Sequence, residues 1–243
     1  MAGEMSPAIL RVAHCSDIHL DGDHAGGDHY RQGFLAVLAA ARRHAPNLLI
    51  LAGDLFDSND ASAGTIEWAM QTLAAQPYPV VMIPGNHDCM EPGAIYSRYD
   101  FDALPNVEML TAADGEMRLL SSLGVAVWGK GMVEHCAAYR PIGGIAPRPH
   151  NVKWYLGLGH GIYVASGEHT DRSSPVHEQE IANSSCDYLA LGHHHASLEV
   201  HAGETAAAYC GSPTDTLGKG ATYAVIDLAE NAPAVVEICV MDA

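Results

Sequence analysis

The chain has 243 residues, 48% apolar and 17% charged, a balance that excludes disordered and fibrous classes and leaves enough material for a substantial core. Its formal charge is −17, from 29 acidic against 12 basic residues, so a polyanion would meet repulsion and not a basic track. No apolar run is long enough to span a bilayer, and the first residues lack the basic-then-apolar order of a signal peptide.

Six cysteines are scattered with no CxxC pair, which suits reduced thiols in a cytoplasmic protein. Fifteen histidines in an acidic, oxygen-rich chain suit divalent metals.

In chain order, residues 9–16 read as a first strand that ends in Asp17-Ile18-His19. Side chains two apart on a strand share a face, so Asp17 and His19 point the same way. Residues 21–29 are too rich in Gly and Asp for regular structure, and His24 and His29 there read as solvated loop residues with a substrate contact as the alternative. Residues 30–44 carry Phe34, Leu35, Val37, Leu38 and Ala41 at helical spacing. Leu48 to Leu51 is an unbroken apolar run ended by Ala52-Gly53-Asp54, the pattern of a strand buried on both faces with Asp54 at its mouth. Together these form a βαβ unit with a right-handed crossover. A second helix over 63–75 leads to a strand over 80–83, which runs straight into Pro84-Gly85-Asn86-His87-Asp88.

The spacing predicts partial helix over 91–103 and short strands at 107–110, 117–120 and 125–128. Residues 133–151 hold three prolines and read as a long surface loop, from which Arg140, Arg148 and His150 are candidates to meet an anionic substrate. A strand over 154–159 ends in His160-Gly161; a short helix over 177–184 precedes a strand over 188–191 that ends in Gly192-His193-His194-His195. His194 alternates away from its neighbours. Strands at 198–201, 206–209, 222–228 and 235–240 follow with no helix between them, which predicts an antiparallel layer. No linker, repeat or low-complexity tract divides residues 1–243, so a single domain is expected.

The strand ends collect Asp17, His19, Asp54, Asn86, His160, His193 and His195. That set exceeds one tetrahedral zinc and suits two neighbouring ions of higher coordination number, such as Mn, Fe or Zn. Two such ions about 3.5–4 Å apart need a bridging anion, and a carboxylate serves.

Asp-x-His, Gly-Asp, Gly-Asn-His-Asp, Gly-His-Gly and Gly-His-x-His, in this order on a βαβ frame, resemble the calcineurin-like metallophosphoesterases. The resemblance implies an α/β fold, a four-layer αββα sandwich of two mixed β-sheets flanked by helices. It implies one ion on Asp17, His19, Asp54 and His195, and another, most naturally Mn²⁺ in both cases, on Asp54, Asn86, His160 and His193. It further implies attack of a metal-bridging hydroxide on phosphorus, with His87 as general acid or transition-state donor and Asp88 orienting it. GDLFD at 53–57, YCGSP at 209–213 and Arg31 are similar to the SbcD-type DNA-repair exonuclease branch. That branch implies DNA ends or single strands as substrate. The acidity and the lack of a visible capping or partner-binding segment argue against an ATPase partner and for nucleotides, cyclic nucleotides or other small phosphoesters as the alternative. A metal-binding scaffold without catalysis would be expected to lose ligands, and none is missing.

Overall fold

The computed structural model describes residues 8–22, 28–214 and 217–241. The first half alternates strand and helix: β1 (Ile9–Cys15), α1 (Asp28–Arg43), β2 (Leu48–Ala52), α2 (Ala63–Ala74), β3 (Val80–Ile83), the one-turn α3 (Ile95–Arg98) and β4 (Val107–Met109). β1, β2, β3 and β4 pair in parallel in that order, as helical crossovers require. The Ser62 hydroxyl caps α2 by accepting from the Thr65 N–H. Phe34, Val37, Leu38 and Ala41 of α1 and Ile66 and Leu73 of α2 cover the odd-numbered face of β1 and β2, Ala13, Cys15, Leu49 and Leu51.

The second half builds another sheet from β5 (Glu116–Leu120), β6 (Val125–Gly129), β7 (Trp154–His160), β10 (Tyr188–Gly192), β11 (Leu198–Ala202) and β12 (Thr205–Tyr209). Between β7 and β10 lie two short paired strands, β8 (Ile162–Val164) and β9 (Pro175–His177), and helix α4 (Glu178–Asn183). Leu10, Val12, Leu48 and Ile50 from the first sheet and Leu156, Leu158, Tyr188 and Ala190 from the second fill the space between the sheets. Fully burying each large aliphatic contributes about 1.5–3 kcal/mol, so this layer dominates the cohesion of the two sheets. α4 and the 133–152 segment cover the far face of the second sheet through Ile181 and Ile142. The result is two mixed sheets flanked by helices, as expected.

The last four strands depart from the expected antiparallel layer. β13 (Thr222–Ala229) and β14 (Val235–Val240) join the first sheet, with β13 antiparallel to β1. β11 and β12 pair antiparallel with each other, but β12 lies parallel to β10. A parallel neighbour needs only a return path of the strand's length, and the extended β11 supplies it where a helix would otherwise stand.

Candidate metal centre

The C-terminal ends of β1, β2, β3, β7 and β10 meet at one pole, and unusual backbone geometry holds the turns there. Asp17, His19, Asp54 and His193 all have positive φ, at 56°, 56°, 53° and 96°. Each such non-glycine residue stores about 1–3 kcal/mol and persists only where its surroundings over-determine it. The Asp17 N–H donates to the Gly53 carbonyl (3.1 Å), and the Ile18 and His19 N–H groups donate to the Asp54 carbonyl (2.9 and 3.1 Å), locking the first two strand ends together. Gly53 has φ +91°, and a Cβ on it would stand 2.3 Å from Nδ1 of His160; only glycine fits.

The side chains then converge. Nε2 of His19 and Nε2 of His195 lie 3.2 Å apart, and the latter is 3.7 Å from Oδ1 of Asp17. His160 Nδ1–H donates to the Ala52 carbonyl (2.8 Å), which leaves Nε2 as a lone pair in the neutral ring. That lone pair faces Oδ1 of Asn86 at 3.0 Å and Oδ2 of Asp54 at 3.2 Å. His193 Nδ1 is 2.7 Å from the same Asn86 oxygen. With Nδ1–H committed to Ala52, His160 Nε2 meets those two oxygens favourably only by carrying a second proton or by sharing a cation with them. The charge distribution says the same. Burial alone would raise Asp54, yet His160, His19 and His87 hold its carboxyl far below the usual range. Burial pulls His160 down, but Asp54 above all, with Asp17, pushes it up to about 9. The geometry therefore calls for cationic charge among Asp17, His19, Asp54, Asn86, His160, His193 and His195, and the donor set fits divalent metal ions. Oxygen and imidazole donors without thiolate suit ions of intermediate hardness and leave the metal's identity open.

His87 stands exposed at the edge of this cluster, its ring edge-on to His19 at 4.6 Å between centroids. Its main-chain N–H donates to Oδ1 of Asp54 (2.9 Å) and its Nδ1–H to the Asp57 carbonyl (2.8 Å). The Asp57 carboxylate is 3.1 Å from Nδ1 of His19, so Asp57 touches a ligand and the candidate acid together. Asp88 differs from its expected part. It is fully buried and its carboxylate accepts from the Gly85 N–H (2.7 Å), the Phe56 N–H (3.1 Å) and the Tyr96 hydroxyl (2.6 Å), so it braces the turn and is not hydrogen-bonded to the His87 ring. Burial first, then the charge of Asp54, raises its pKa.

The other candidates separate. Arg148 sits beyond the start of β7, at the opposite pole, donating to Asp187 (2.7 Å) and the Lys153 carbonyl (2.6 Å), and exposed His150 lies in the same turn. Arg140 pairs with Glu180 of α4 at 2.9 Å. The 133–151 loop therefore brings neither arginine's charge unpaired to the centre, because each has a carboxylate of its own. His29 Nε2–H donates to the Thr214 carbonyl (2.8 Å), His194 turns away toward the Ala196 carbonyl (2.7 Å), and His24 lies outside the described residues. Arg31 ties α1 to α2 through Thr65 (2.8 Å) and lies over Trp68. In YCGSP, the Ser212 hydroxyl donates to the Asp17 carbonyl (2.7 Å), so this motif buttresses the turn that carries Asp17. Two residues carry no signal in the sequence pattern: His135, whose ring lies 5.4 Å from that of His193, and Arg172, in the segment that the Ser174 N–H joins to the Cys136 carbonyl (2.9 Å).

Residues 10–197 match the family described as Calcineurin-like phosphoesterase. An uncharacterized metallophosphoesterase, YhaO of Bacillus subtilis, is 27% identical over 84% of this chain and 53% of its own length. A probable cyclic nucleotide phosphodiesterase of Moraxella catarrhalis is 38% identical over 32% of this chain and 27% of its own. Another, of Fibrobacter succinogenes, is 31% identical over 46% of this chain and 48% of its own. The chain thus spans about half the length, or less, of these curated relatives. Among solved structures, TT1561 of Thermus thermophilus shares the fold with a TM-score of 0.64 at 12% identity, over 96% of this chain and all of that one.

Proposed function

Because the chain belongs to the calcineurin-like phosphoesterase family, we propose that it hydrolyses phosphodiester bonds of nucleotides or similar small phosphoesters at a centre built for two divalent ions. The observation that carries this is the convergence of Asp54 and Asn86 on Nε2 of His160, at 3.2 and 3.0 Å, beside Asp17, His19 and His195. When bound, the ions would lower the pKa of a water and offset charge on the phosphoryl oxygens.

The chain's own residues divide the remaining work. Asp17, His19, Asp54 and His195 would hold one ion; Asp54, Asn86, His160 and His193 would hold the other. His87 gives the leaving-group oxygen its proton: Nδ1–H is committed to the Asp57 carbonyl, so the imidazolium presents its second proton from Nε2. Asp57 fixes the ring and, through His19, the neighbouring ligand. Asp88 keeps Gly85 and Phe56 in register behind them.

Small substrates are favoured by the net charge of −17, which two divalent ions change only to −13 (−17 + 4), and by relatives named as probable cyclic nucleotide phosphodiesterases. A second reading keeps the chemistry and takes DNA ends or single strands; GDLFD and YCGSP favour it. The test is metal-stripped protein refilled with Mn²⁺ and offered a cyclic nucleotide, a bis-aryl phosphodiester, an aryl phosphomonoester and end-labelled single- and double-stranded DNA. Turnover of the small esters with DNA intact supports the first reading; end-dependent DNA cleavage moves the assignment to the second. Loss of about 10²–10⁴-fold in His87→Ala with both metals retained places the acid role on His87. Two bound metals and no hydrolysis of anything would sink both.

A further inference from the structure

His135 and Arg172 come from two loops that the fold joins beside the second ion's ligands. The Cys136 carbonyl accepts from the Ser174 N–H (2.9 Å), and the Ser174 carbonyl accepts from the Ile162 N–H (2.9 Å). That carbonyl also presses on Gly161, where an added Cβ would lie 2.0 Å from it. Gly161 follows His160 directly, and its own N–H donates to the Gly192 carbonyl (3.1 Å), just before His193. The two loops are therefore fixed to the very turns that carry His160 and His193. Ser174 has φ +54° and a buried hydroxyl with no partner, a strained residue at the point where the loops cross.

This clip leaves the His135 ring exposed and edge-on to His193, at 5.4 Å and 66°. His87 occupies the other flank, against His19. Arg172 brings the charge. Arg11, Arg118, Arg140 and Arg148 each have a carboxylate partner. The Arg172 guanidinium has no such partner and no hydrogen bond among the described residues, although the chain has 29 acidic residues against 12 basic. Arg172 lies two residues before Ser174, whose N–H is held by the Cys136 carbonyl, so the clip sets its segment beside the His135 loop.

We propose that His135 and Arg172 form a substrate-binding pair on the His193 side of the centre, selecting phosphoesters that carry a second negative charge next to the scissile bond. That charge is either the extra one on a phosphomonoester dianion or the neighbouring phosphate of a nucleotide. The proposal rests on the phosphoesterase reading and adds a preference to it. Arg172 supplies the attraction for the added charge, and His135 a hydrogen bond to any phosphoryl oxygen placed between the flanks.

The experiment compares Mn²⁺-loaded wild type, Arg172→Gln and His135→Ala on three substrates: p-nitrophenyl phosphate, a 5′-phosphorylated thymidine dinucleotide and bis-p-nitrophenyl phosphate. Both positions are exposed, and metal content verifies that each variant keeps its centre. Arg172→Gln is expected to raise KM about tenfold for a doubly charged substrate and leave the singly charged bis-aryl ester within twofold. A rise confined to the monoester assigns the second charge to the phosphoryl group itself; one confined to the dinucleotide assigns it to the neighbouring phosphate. His135→Ala is expected to raise KM for all three. Calorimetry with inorganic phosphate gives a readout without turnover, and Arg172→Gln is expected to weaken phosphate binding about tenfold. If wild type hydrolyses these esters while Arg172→Gln changes neither KM nor phosphate affinity, or weakens all three substrates equally, the pair is overturned and the phosphoesterase reading stands. If phosphate binding weakens as expected and wild type hydrolyses none of the esters, the phosphoesterase reading fails while the anion site remains.

Discussion

The two ends of the same strands make different uses of the same materials. At one pole Asp17, His19, Asp54 and His193 accept positive φ, and Nε2 of His160 stands 3.0 Å from the Asn86 oxygen and 3.2 Å from the Asp54 carboxylate. At the other, β7 begins at Trp154 beside a cavity of about 970 Å³ lined by Arg148, Lys153, Asp187, His201 and Glu230. There Arg148 is paired with Asp187 and Lys153 with Glu230. Room is not what distinguishes a site here. Strain and unmatched charge mark the metal pole, and satisfied ion pairs mark the far one.

Removing the shared carboxylate should break the contrast most completely. Asp54→Asn deletes the anion common to both proposed donor sets, and loss of even an outer partner of a ligand costs about 10–100-fold in metal affinity or activity. A loss of at least 10²-fold in turnover, with fewer than two metals by elemental assay, is expected. Two metals retained with ordinary activity would mean that Asp54 does not bridge.

Strain itself can be tested with two glycines of like backbone. Gly53 (φ +91°) would bring a Cβ within 2.3 Å of His160 Nδ1, whereas Gly93 (φ +86°) has open space around it. Gly53→Ala should destabilise by about 2–4 kcal/mol and Gly93→Ala by about 1, read from denaturant midpoints. Equal losses would show that the metal pole is no more constrained than an ordinary turn.

Between the poles lies His14, fully buried in the inter-sheet layer, with Nδ1 2.9 Å from the Tyr188 hydroxyl and Nε2 without a partner. Burial pushes its pKa down to about 3. The unfolded chain binds this proton near pH 6.5 and the folded chain does not. Stability from a neutral His14 is therefore present above about pH 6.5 and is lost as pH falls from there toward 3. Between pH 7.5 and 5 the expected loss is about 2 kcal/mol. Urea unfolding of wild type and His14→Gln at fixed metal loading should show that much less acid sensitivity in the variant. The same acid sensitivity in both proteins would remove His14 as its source.

The convergence of the candidate ligands is legible in the sequence because most of them follow an apolar run or its glycine, so strand register alone delivers Asp17, Asp54, Asn86, His160 and His193 to one pole. Asp57 is less visible. Its contacts depend on the bridge between Leu20 and Phe56, which lays two turns side by side. His135 is invisible to periodicity, since long-range hydrogen bonds, Ser174 to Cys136 and Met90 to Met132, bring its loop to the centre. The misplaced antiparallel layer has a related cause: β12 and β13 are both apolar strands, and nothing in either records which sheet it joins.

The smallest expected effect bears on the residue whose charge and loop most invite a substrate role. Arg148 gives its guanidinium to Asp187 and to the Lys153 carbonyl, about a third of its side chain staying exposed. Solvent screening limits such a pair, so Arg148→Ala should lower stability by only about 1 kcal/mol. Because Trp154 and His160 stand at opposite ends of β7, kcat/KM should remain within twofold of wild type. Hydrolysis and urea midpoints measured on the same preparation separate the two quantities. A tenfold fall in kcat/KM at unchanged stability would carry catalytic influence along the whole strand, and the far pole would then have to be counted as part of the working site.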